Sequence, residues 1–566
     1  MGLAATSQPS HQPGSGYRRH EPESTVLYAL VREHLEPFLR YTREHYARSL
    51  PRYVERELRD YLDCGVLSNG FTRIRCRGCG LDVLLAFSCK GRSLCPSCGA
   101  RRMAAGAAHL VDKVLPDVPV RQWVLSAPWE LRLVLAAQAP VLAAVLRIFL
   151  RVVLGWYRDR AREAGLGRAE TGAISVLQRF GGSLNLHCHI HAVLVDGVYC
   201  RDEQGQARLH LVRAPTGADI ARVARESSER IQKMLRRRGL VRDDDDDRGE
   251  VEPVDSAIDG CRKASLGRGR FERLDERGRS QQELFPDDER LDHRCKSPWA
   301  AEVDRFSVHA GVTFGALDRK GRERLLRYCL RPALALERRS VLADGSVAYR
   351  TKYRARGGKT HRVMTPIEFM ARIAALVAPP HIPLLRYHGM LAPGSSWRPL
   401  VVPFSARLAP AAPSCTHAAT GSVEATTAKR TDAARKPGDL VPSHPQQPSV
   451  PASLGTEPPP RRSRSYVDWA TLMRRGFDLD VLDCPRCHDR MLPVAVITRQ
   501  QVVDRVLSHL GLPLRPVPLG DGYAVGFDVT GEPMVDGIVG TDPQPEPSER
   551  APPDPWDCVD PPAPDD

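Results

Sequence analysis

The sequence predicts a protein of mixed helices and strands, and three observations favour that fold class. Apolar residues recur every three or four positions from about Thr25 to Asp63, which indicates helices. Polar and apolar side chains alternate along the segment LNLHCHIHAVLV, as they do in a half-buried strand. A third segment, RKGRERLLRYCL, has the apolar spacing of an amphipathic helix.

Composition divides the chain into ordered and low-complexity segments. The acidic run Asp243–Asp247 opens a polar stretch, which we interpret as a solvated surface insertion rather than a metal site. The Ala-, Pro-, Ser- and Thr-rich stretch near the C-terminal third is typical of a linker. The predicted segments are disorder over 1–22, helices and a cysteine-rich domain over 23–104, a helical connector over 105–168, the main domain over 169–400 with the insertion at about 243–300, a disordered linker over 401–465, a small CxxC module over 466–515, and a largely disordered tail over 516–566.

The chain is basic, with a formal net charge of +14 over 566 residues. A surplus of lysine and arginine favours an anionic polymer as partner, because cationic side chains neutralise phosphates and release counterions. The most apolar stretch, Leu131–Trp156, is interrupted by polar residues and a proline, so we do not expect a membrane span. The N-terminus has no apolar signal region. We therefore expect a soluble cytoplasmic protein that binds nucleic acid.

Four cysteines form two CxxC pairs, Cys76/Cys79 and Cys95/Cys98, with 15 residues between the pairs. Each pair can present two thiolates from a tight turn, and two pairs complete the tetrahedral site that structural zinc prefers. Clustered cysteines of this kind are typical of metal binding in a reducing compartment rather than of disulfides. We predict one structural Zn²⁺ ion held by these four thiolates in a zinc-ribbon-like domain.

Two further cysteines, Cys64 and Cys89, are close enough in sequence to exchange with these ligands. The alternative to a zinc site is a set of reduced core cysteines. Cations surround the cluster and could contact DNA phosphates, although the domain could equally be only a scaffold. The candidate cations are Lys90, Arg92, Arg101 and Arg102.

The segment LNLHCHIHAVLVDGVY places His187, His189 and His191 on one face of a strand. If Gly181-Gly182 forms a two-residue hairpin loop, Gln178 lies opposite Asn185 on the same face and becomes a further ligand or an orienting group. A register shift by one residue would remove Gln178 from that face. Imidazoles with open coordination positions suit a divalent ion that acts as a Lewis acid on a phosphate oxygen. The alternative is an exposed histidine-rich face without an ion.

Tyr328 lies on the amphipathic helix, one turn before Pro332. Neighbouring cations would favour the phenolate and hold an anionic target, so Tyr328 is a candidate nucleophile. The alternative is a half-buried tyrosine on a basic helix, and nothing local distinguishes it among 14 tyrosines. The candidate phosphate contacts on this helix are Arg324, Arg327 and Arg331.

The C-terminal module contains one more CxxC pair, Cys484 and Cys487. A single pair supplies half of a zinc site. It could recruit His488 or His509, pair with another chain, or remain as free thiols.

Several long motifs occur in an order that resembles the IS91-like transposases of the HUH endonuclease superfamily. The N-terminal motifs are CRGCG, AFSCKGRSLCPSCGARRM and VRQWVLSAP, which resemble the transposase zinc-binding domain of that family. The later motifs are LQRFGGSLNLHCHIHAVLVDGVY, FSVHAGV, YCLRP and RYHGMLAP, which resemble its catalytic domain. The resemblance covers roughly residues 25–400 and, more loosely, 466–515.

The resemblance implies an α+β fold with an HUH-type antiparallel sheet and packed helices, with the histidines on a central strand and Tyr328 on a facing helix. It implies that His189 and His191 bind Mg²⁺ or Mn²⁺ and that Tyr328 attacks a DNA phosphate, which leaves a 5′-phosphotyrosine and a free 3′-hydroxyl. Because Arg324 stands four residues before Tyr328, the chain resembles the single-tyrosine branch. The implied activity is rolling-circle transposition of an insertion sequence, with single-stranded or hairpin DNA ends as substrate.

Two other functions remain open from the sequence. A non-catalytic zinc-dependent DNA-binding regulator would use the cysteines and the basic charge, but it would leave the histidine strand and Tyr328 without a role. A replication initiator or relaxase would use the same chemistry in another genetic setting. An integrase with three catalytic carboxylates is disfavoured, because the ordered segments offer no clear carboxylate trio.

Overall fold

The computed structural model describes residues 21–240, 255–266, 297–334, 338–351, 360–402, 469–477, 480–515 and 524–525. The acidic run Asp243–Asp247 lies outside these residues. Almost all of the predicted linker and of the two predicted disordered ends also lies outside the described residues. The exceptions are residues at the segment borders and Ala524–Val525, which form a two-residue strand inside the predicted tail.

Helices and strands are interleaved along the chain. The helices are α1 (Val26–His45), α2 (Arg52–Asp63), α3 (Pro96–Lys113), α4 (Arg132–Ala137), α5 (Ala139–Glu163), α6 (Gly217–Arg237), α7 (Ala257–Ser265), α8 (Arg319–Leu330), α9 (Pro366–Leu376), α10 (Arg398–Val401), α11 (Trp469–Phe477) and α12 (Gln500–His509). The strands are β1 (Phe71–Cys76), β2 (Asp82–Ala86), β3 (Val120–Ser126), β4 (Gly172–Phe180), β5 (Leu186–Val195), β6 (Gly197–Arg201), β7 (Ala207–Leu211), β8 (Ala300–Val303), β9 (Phe306–Phe314), β10 (Arg339–Leu342), β11 (Val347–Arg350), β12 (His361–Met364), β13 (Leu385–Gly389), β14 (Met491–Ile497) and β15 (Ala524–Val525).

A six-stranded sheet forms the centre of the fold, in the order β13-β4-β5-β3-β9-β8. Every neighbouring pair in it is antiparallel. Apolar residues on one face pack with α1, α2, α5, α6 and α9 in a large core. Apolar residues on the other face pack with α3 and α8 in a second core. The predicted α+β class is therefore confirmed, with helices on both faces of an antiparallel sheet.

The region predicted as a helical connector over 105–168 contains the strand β3, and that part of the prediction is wrong. The sequence VRQWVLS pairs with β5 on one side and with β9 on the other. Its residues are buried from Val120 to Leu125, because both faces of the sheet are covered. A strand buried on both faces lacks the clear solvent-facing alternation that identified β5.

Part of the predicted surface insertion is a core helix instead. Within residues 255–266, α7 packs against α9, and Ala257 and Cys261 are fully buried. The polar composition on either side hid this short apolar element.

Helix α5 is the one described helix that is long and apolar enough to cross a membrane. Most of its apolar window, 61%, is buried inside the protein. Its side chains belong to the large core, as expected of a core helix. The structure thus gives an alternative to a membrane span for this stretch, in line with the sequence prediction.

Candidate active site and metal centres

The three histidines lie on β5, the third strand of the six-stranded sheet. Their side chains share the face that carries the α3–α8 core, while Leu186, Cys188 and Ile190 enter the large core on the other face. The ring centroids of His187 and His189 are 4.9 Å apart, and those of His189 and His191 are 4.8 Å apart. The predicted central position and shared face are confirmed.

Gln178 also lies on the histidine face, but its predicted partner is wrong. It stands opposite His189 rather than Asn185, because the register shifts between Gln178 and Phe180 and Phe180 pairs with Leu186. The connection is therefore longer than the two glycines assumed from the sequence. Gln178 Oε1 lies 3.1 Å from His189 Nε2, while its Nε2 donates to the carbonyls of Tyr328 and Cys329 at 2.9 and 2.7 Å.

Tyr328 lies on α8, which packs on this same face. Its ring stands perpendicular to that of His191, with 5.6 Å between the centroids. Its side chain is buried. The guanidinium of Arg331 lies 4.8 Å from the Tyr328 ring centroid and 5.3 Å from that of Phe180. The fold thus brings the candidate nucleophile and the histidine strand together.

The single four-cysteine site predicted from the spacing is wrong. The two CxxC pairs belong to two different clusters. One consists of Cys64, Cys89, Cys95 and Cys98, and the other of Cys76, Cys79, Cys484 and Cys487. The spacing predicted that the neighbouring pairs combine, but β2 lies between them in the chain and each pair meets other cysteines instead.

The first cluster fits a zinc ion by its sulfur positions. Cys64 Sγ lies 3.7 Å from Cys98 Sγ and 3.5 Å from Cys95 Sγ, and Cys89 Sγ lies 3.6 Å from Cys98 Sγ. Four sulfurs about 2.3 Å from a central ion would be about 3.8 Å apart in a tetrahedron. A disulfide would require about 2.05 Å. Hydrogen bonds from the neighbouring thiols, that of Cys64 first, lower the pKa of Cys98.

The comparisons with known proteins agree with a zinc-binding domain in this part of the chain. Residues 30–127 match the family model "Transposase zinc-binding domain" of the IS91 type, and residues 172–398 match the model "Putative transposase". The first match contains all of the first cluster, and the second contains the histidine strand and Tyr328. The chain is an IS91-like transposase. No curated protein and no solved structure matches it.

Transposases cut and join DNA, so this transposase is a DNA-binding enzyme. Two of the predicted metal ligands on its histidine face have shifted pKa values. Burial lowers the pKa of both His187 and His191, so both rings are neutral at pH 7, as metal ligands must be. The Nε2 atoms of these two rings are buried without a hydrogen-bond partner. In the described part of the chain, however, only cysteines bring three or more ligand atoms within 4.8 Å of one another.

Gln122 on β3 is a site residue that the sequence analysis missed. It is fully buried, and its Nε2 lies 2.7 Å from His191 Nδ1 and 3.4 Å from Cys329 Sγ. Gln122 therefore joins the histidine strand to the tyrosine helix. Gln122 lies inside the motif VRQWVLSAP, but the sequence analysis did not recognise that motif as a strand and assigned Gln122 no role.

The predicted phosphate-binding cations of the transposase have different surroundings. Arg92 donates to the carbonyls of Ala378, Pro379 and Ile382, so it holds a loop and is unsuited to bind phosphate. Arg327 pairs with Glu323. Arg324, Lys90 and Arg102 are exposed, Arg101 and Arg331 are partly buried, and Arg102 also donates to the Lys90 carbonyl.

The zinc-binding domain of the transposase contacts the tyrosine helix directly. Helix α3 begins at the Cys95–Cys98 turn and packs along α8. A Cβ atom at Gly99 would lie 2.6 Å from Cβ of Pro332, and one at Gly106 would lie 2.9 Å from Leu330 Cδ1. The first cluster anchors α3. The two glycines therefore allow α3 to pack closely against the end of α8, the helix that bears Tyr328.

Proposed function

We propose that this transposase is an HUH-type endonuclease of the single-tyrosine kind. It nicks and rejoins single-stranded DNA at insertion-sequence ends, with Tyr328 as nucleophile, in rolling-circle transposition. The observation that carries the proposal is the edge-to-face contact of Tyr328 with His191, 5.6 Å between ring centroids. It joins the predicted nucleophile to the predicted metal-binding strand, although the two are 137 residues apart in sequence (328 − 191).

His189 and His191, with His187 and Gln178 as further candidates, would hold a Mg²⁺ or Mn²⁺ ion. The unpartnered Nε2 atoms of His187 and His191 support this assignment, because buried ring nitrogens rarely lack a partner. The ion would supply Lewis-acid stabilisation of charge on a phosphate oxygen. Gln178 would orient His189 and fix the backbone of Tyr328 at the same time.

Tyr328 Oη attacks the scissile phosphorus, and the bond from phosphorus to the 3′ oxygen breaks. The phenol loses its proton and the departing 3′ oxygen gains one, so no proton is consumed overall. A 5′-phosphotyrosine and a free 3′-hydroxyl result. Since the phosphoester bond is conserved in the adduct, a 3′-hydroxyl can later reverse the step and rejoin a strand without ATP.

The guanidinium of Arg331 lies over the Tyr328 ring. It would favour the phenolate and contact the incoming phosphate. Arg324, exposed one turn earlier on α8, would contact a neighbouring phosphate. Lys90, Arg101 and Arg102 would bind DNA at the first cysteine cluster, as a single strand or hairpin end. We place the transposase in the cytoplasm, a reducing compartment where disulfides are rare, and the cysteines in the described residues form no disulfides.

The proposal is tested by incubating the protein with single-stranded element ends and Mn²⁺. Wild type should nick the strand and form a covalent protein–DNA adduct, whereas Tyr328→Phe should form no adduct and lose nearly all nicking. Tyr349→Phe, at a buried tyrosine of β11, is the matched control and should behave as wild type. Equal nicking by Tyr328→Phe, or no adduct with wild type, would leave only a zinc-dependent DNA-binding protein.

A further inference from the structure

The second cysteine cluster joins parts of the chain that are about 400 residues apart in sequence. Cys76 is the last residue of β1 and Cys79 lies between β1 and β2, while Cys484 and Cys487 precede β14. The family model for the zinc-binding domain ends at residue 127, so it includes only the first two of these cysteines. From their geometry we propose that the four thiolates bind a second Zn²⁺ ion, which clasps the C-terminal segment onto the N-terminal domain.

The sulfur positions fit one tetrahedral ion. Cys76 Sγ lies 3.4 Å from Cys487 Sγ, and Cys79 Sγ lies 3.5 Å from Cys484 Sγ. All four sulfurs lie within 4.8 Å of one another. These separations are close to the edge of about 3.8 Å expected around zinc and far from the length of a disulfide.

Both CxxC turns are shaped as ligand turns. The backbone N–H of Cys79 donates to Cys76 Sγ at 3.5 Å, as the N–H of Cys98 donates to Cys95 Sγ at 3.5 Å in the first cluster. In the other turn, His488 N–H donates to the Cys484 carbonyl at 2.9 Å, and His488 has a left-handed φ of 60°. His488 itself bonds Asp483 and is not one of the four grouped ligands.

Few residues are buried where the segment meets the N-terminal domain. Strand β14 pairs with β1 from Phe71–Ile497 to Cys76–Met491. The two small buried clusters at this interface are Ile74, Cys76, Cys484 and Met491 beside the thiols, and Phe71, Val503 and Leu507 under α12. Small domains with so few buried residues usually need a metal or disulfide. A structural zinc ion supplies that stabilisation, since its binding free energy is coupled to folding.

The clasp has a consequence at the tyrosine helix. Arg475, on α11 of the C-terminal segment, donates to Asp112 of α3 at 3.0 Å and to Glu323 of α8 at 2.7 Å. Glu323 also accepts from Arg327, the residue before Tyr328. Zinc at the second cluster thus keeps Arg475 between α3 and α8, the helix that bears Tyr328.

The test is the zinc content of the purified full chain after exhaustive dialysis, measured by mass spectrometry of the metal. Wild type and the control Cys200→Ser should hold two ions per chain. The pair Cys76→Ser/Cys79→Ser, the pair Cys484→Ser/Cys487→Ser and the fourfold variant should each hold one. If both pairs bind the same ion, the fourfold variant loses no more zinc than either pair variant. Its remaining ion reports that the first cluster is folded.

One ion in wild type, or two ions in the Cys484→Ser/Cys487→Ser variant, would overturn the proposal. A second measurement does not depend on stoichiometry. With a protease site inserted between residues 420 and 450, the cut C-terminal fragment should co-elute with the N-terminal fragment in wild type and separate in Cys484→Ser/Cys487→Ser. Separation of the wild-type fragments, or co-elution of the variant's, would contradict a zinc clasp. Neither readout requires catalytic activity, so failure of the proposed function would not affect them.

Discussion

Pro332 packs on Gly99, so closely that a methyl group at position 99 would lie 2.6 Å from Cβ of the proline. Gly99 is in the first turns of α3, directly after the Cys95–Cys98 pair, and Pro332 follows Tyr328 by four residues. The contact means that the position of the tyrosine helix depends on the helix that the first cysteine cluster anchors.

The first prediction concerns Gly99→Ala. Alanine normally stabilises a helix interior by about 1 kcal/mol relative to glycine. Here the added methyl group must displace Pro332, so we expect the free energy of unfolding to fall by about 1–3 kcal/mol and adduct formation to slow, with zinc content unchanged. Gly155→Ala on α5, where the new Cβ would have no atom within 4 Å apart from its own stretch of helix, is the control and should be neutral or stabilising. If denaturant unfolding shows both variants equally stabilised, the close packing is refuted.

A second prediction concerns Gln122, which we regard as a positioning residue for His191. If the Gln122 amide is turned so that Oε1 accepts from His191 Nδ1–H, the Nε2 lone pair of His191 is free for an ion. We expect Gln122→Ala to weaken Mn²⁺ binding roughly 10- to 100-fold, because orienting partners of ligand histidines commonly contribute that much. Titration calorimetry measures the affinity.

The matched variants separate positioning from general stability. Gln122→Glu keeps an acceptor for His191 and should restore most of the Mn²⁺ affinity. Gln138→Ala, at an exposed glutamine that precedes α5, should leave it unchanged. Wild-type affinity in Gln122→Ala would show that His191 needs no such partner.

The third prediction is a loss of stability in acid that involves His388. Burial, and then the nearby Arg386, lower the pKa of His388 to about 4 from an ordinary value of 6.5. Its Nε2 lies 2.8 Å from Ser175 Oγ, which bonds the neutral ring. Because the folded-state pKa is depressed, this contribution is fully present above pH 6.5 and is lost as the pH falls towards 4.

Allowing for partial exposure, we expect His388 to account for about 1–2 kcal/mol of that loss. His388→Gln keeps a hydrogen-bonding group but does not titrate, so its unfolding free energy should change less between pH 6.5 and 4 than that of wild type. His381→Asn, at an exposed histidine, is the control. Identical pH profiles for wild type and His388→Gln would contradict the assignment.

The histidine strand and the tyrosine helix could be predicted because their signals are local. Alternation along β5 determines which side chains share a face, and the spacing in α8 identifies a helix around Tyr328. The contact between Tyr328 and the histidine strand could be predicted only from the family resemblance, since no local pattern reports which helix covers which face.

The cysteine partners and the register of Gln178 could not be predicted for physical reasons. Spacing favours neighbouring CxxC pairs, but the thiols of Cys76 and Cys79 meet those of Cys484 and Cys487 only after β14 joins β1. The irregularity between β4 and β5 depends on the packing of the loop, which alternation does not encode.

The most direct test of the central claim is to identify the residue that carries DNA. Wild-type protein is incubated with a single-stranded element end and Mn²⁺, the adduct is digested with nuclease and protease, and the modified peptide is sequenced by mass spectrometry. We predict a nucleotide attached through a 5′ phosphate to Tyr328 alone, and no adduct when the divalent ion is chelated. Attachment to any of the other tyrosines, or an adduct that forms equally without a divalent ion, would contradict the account.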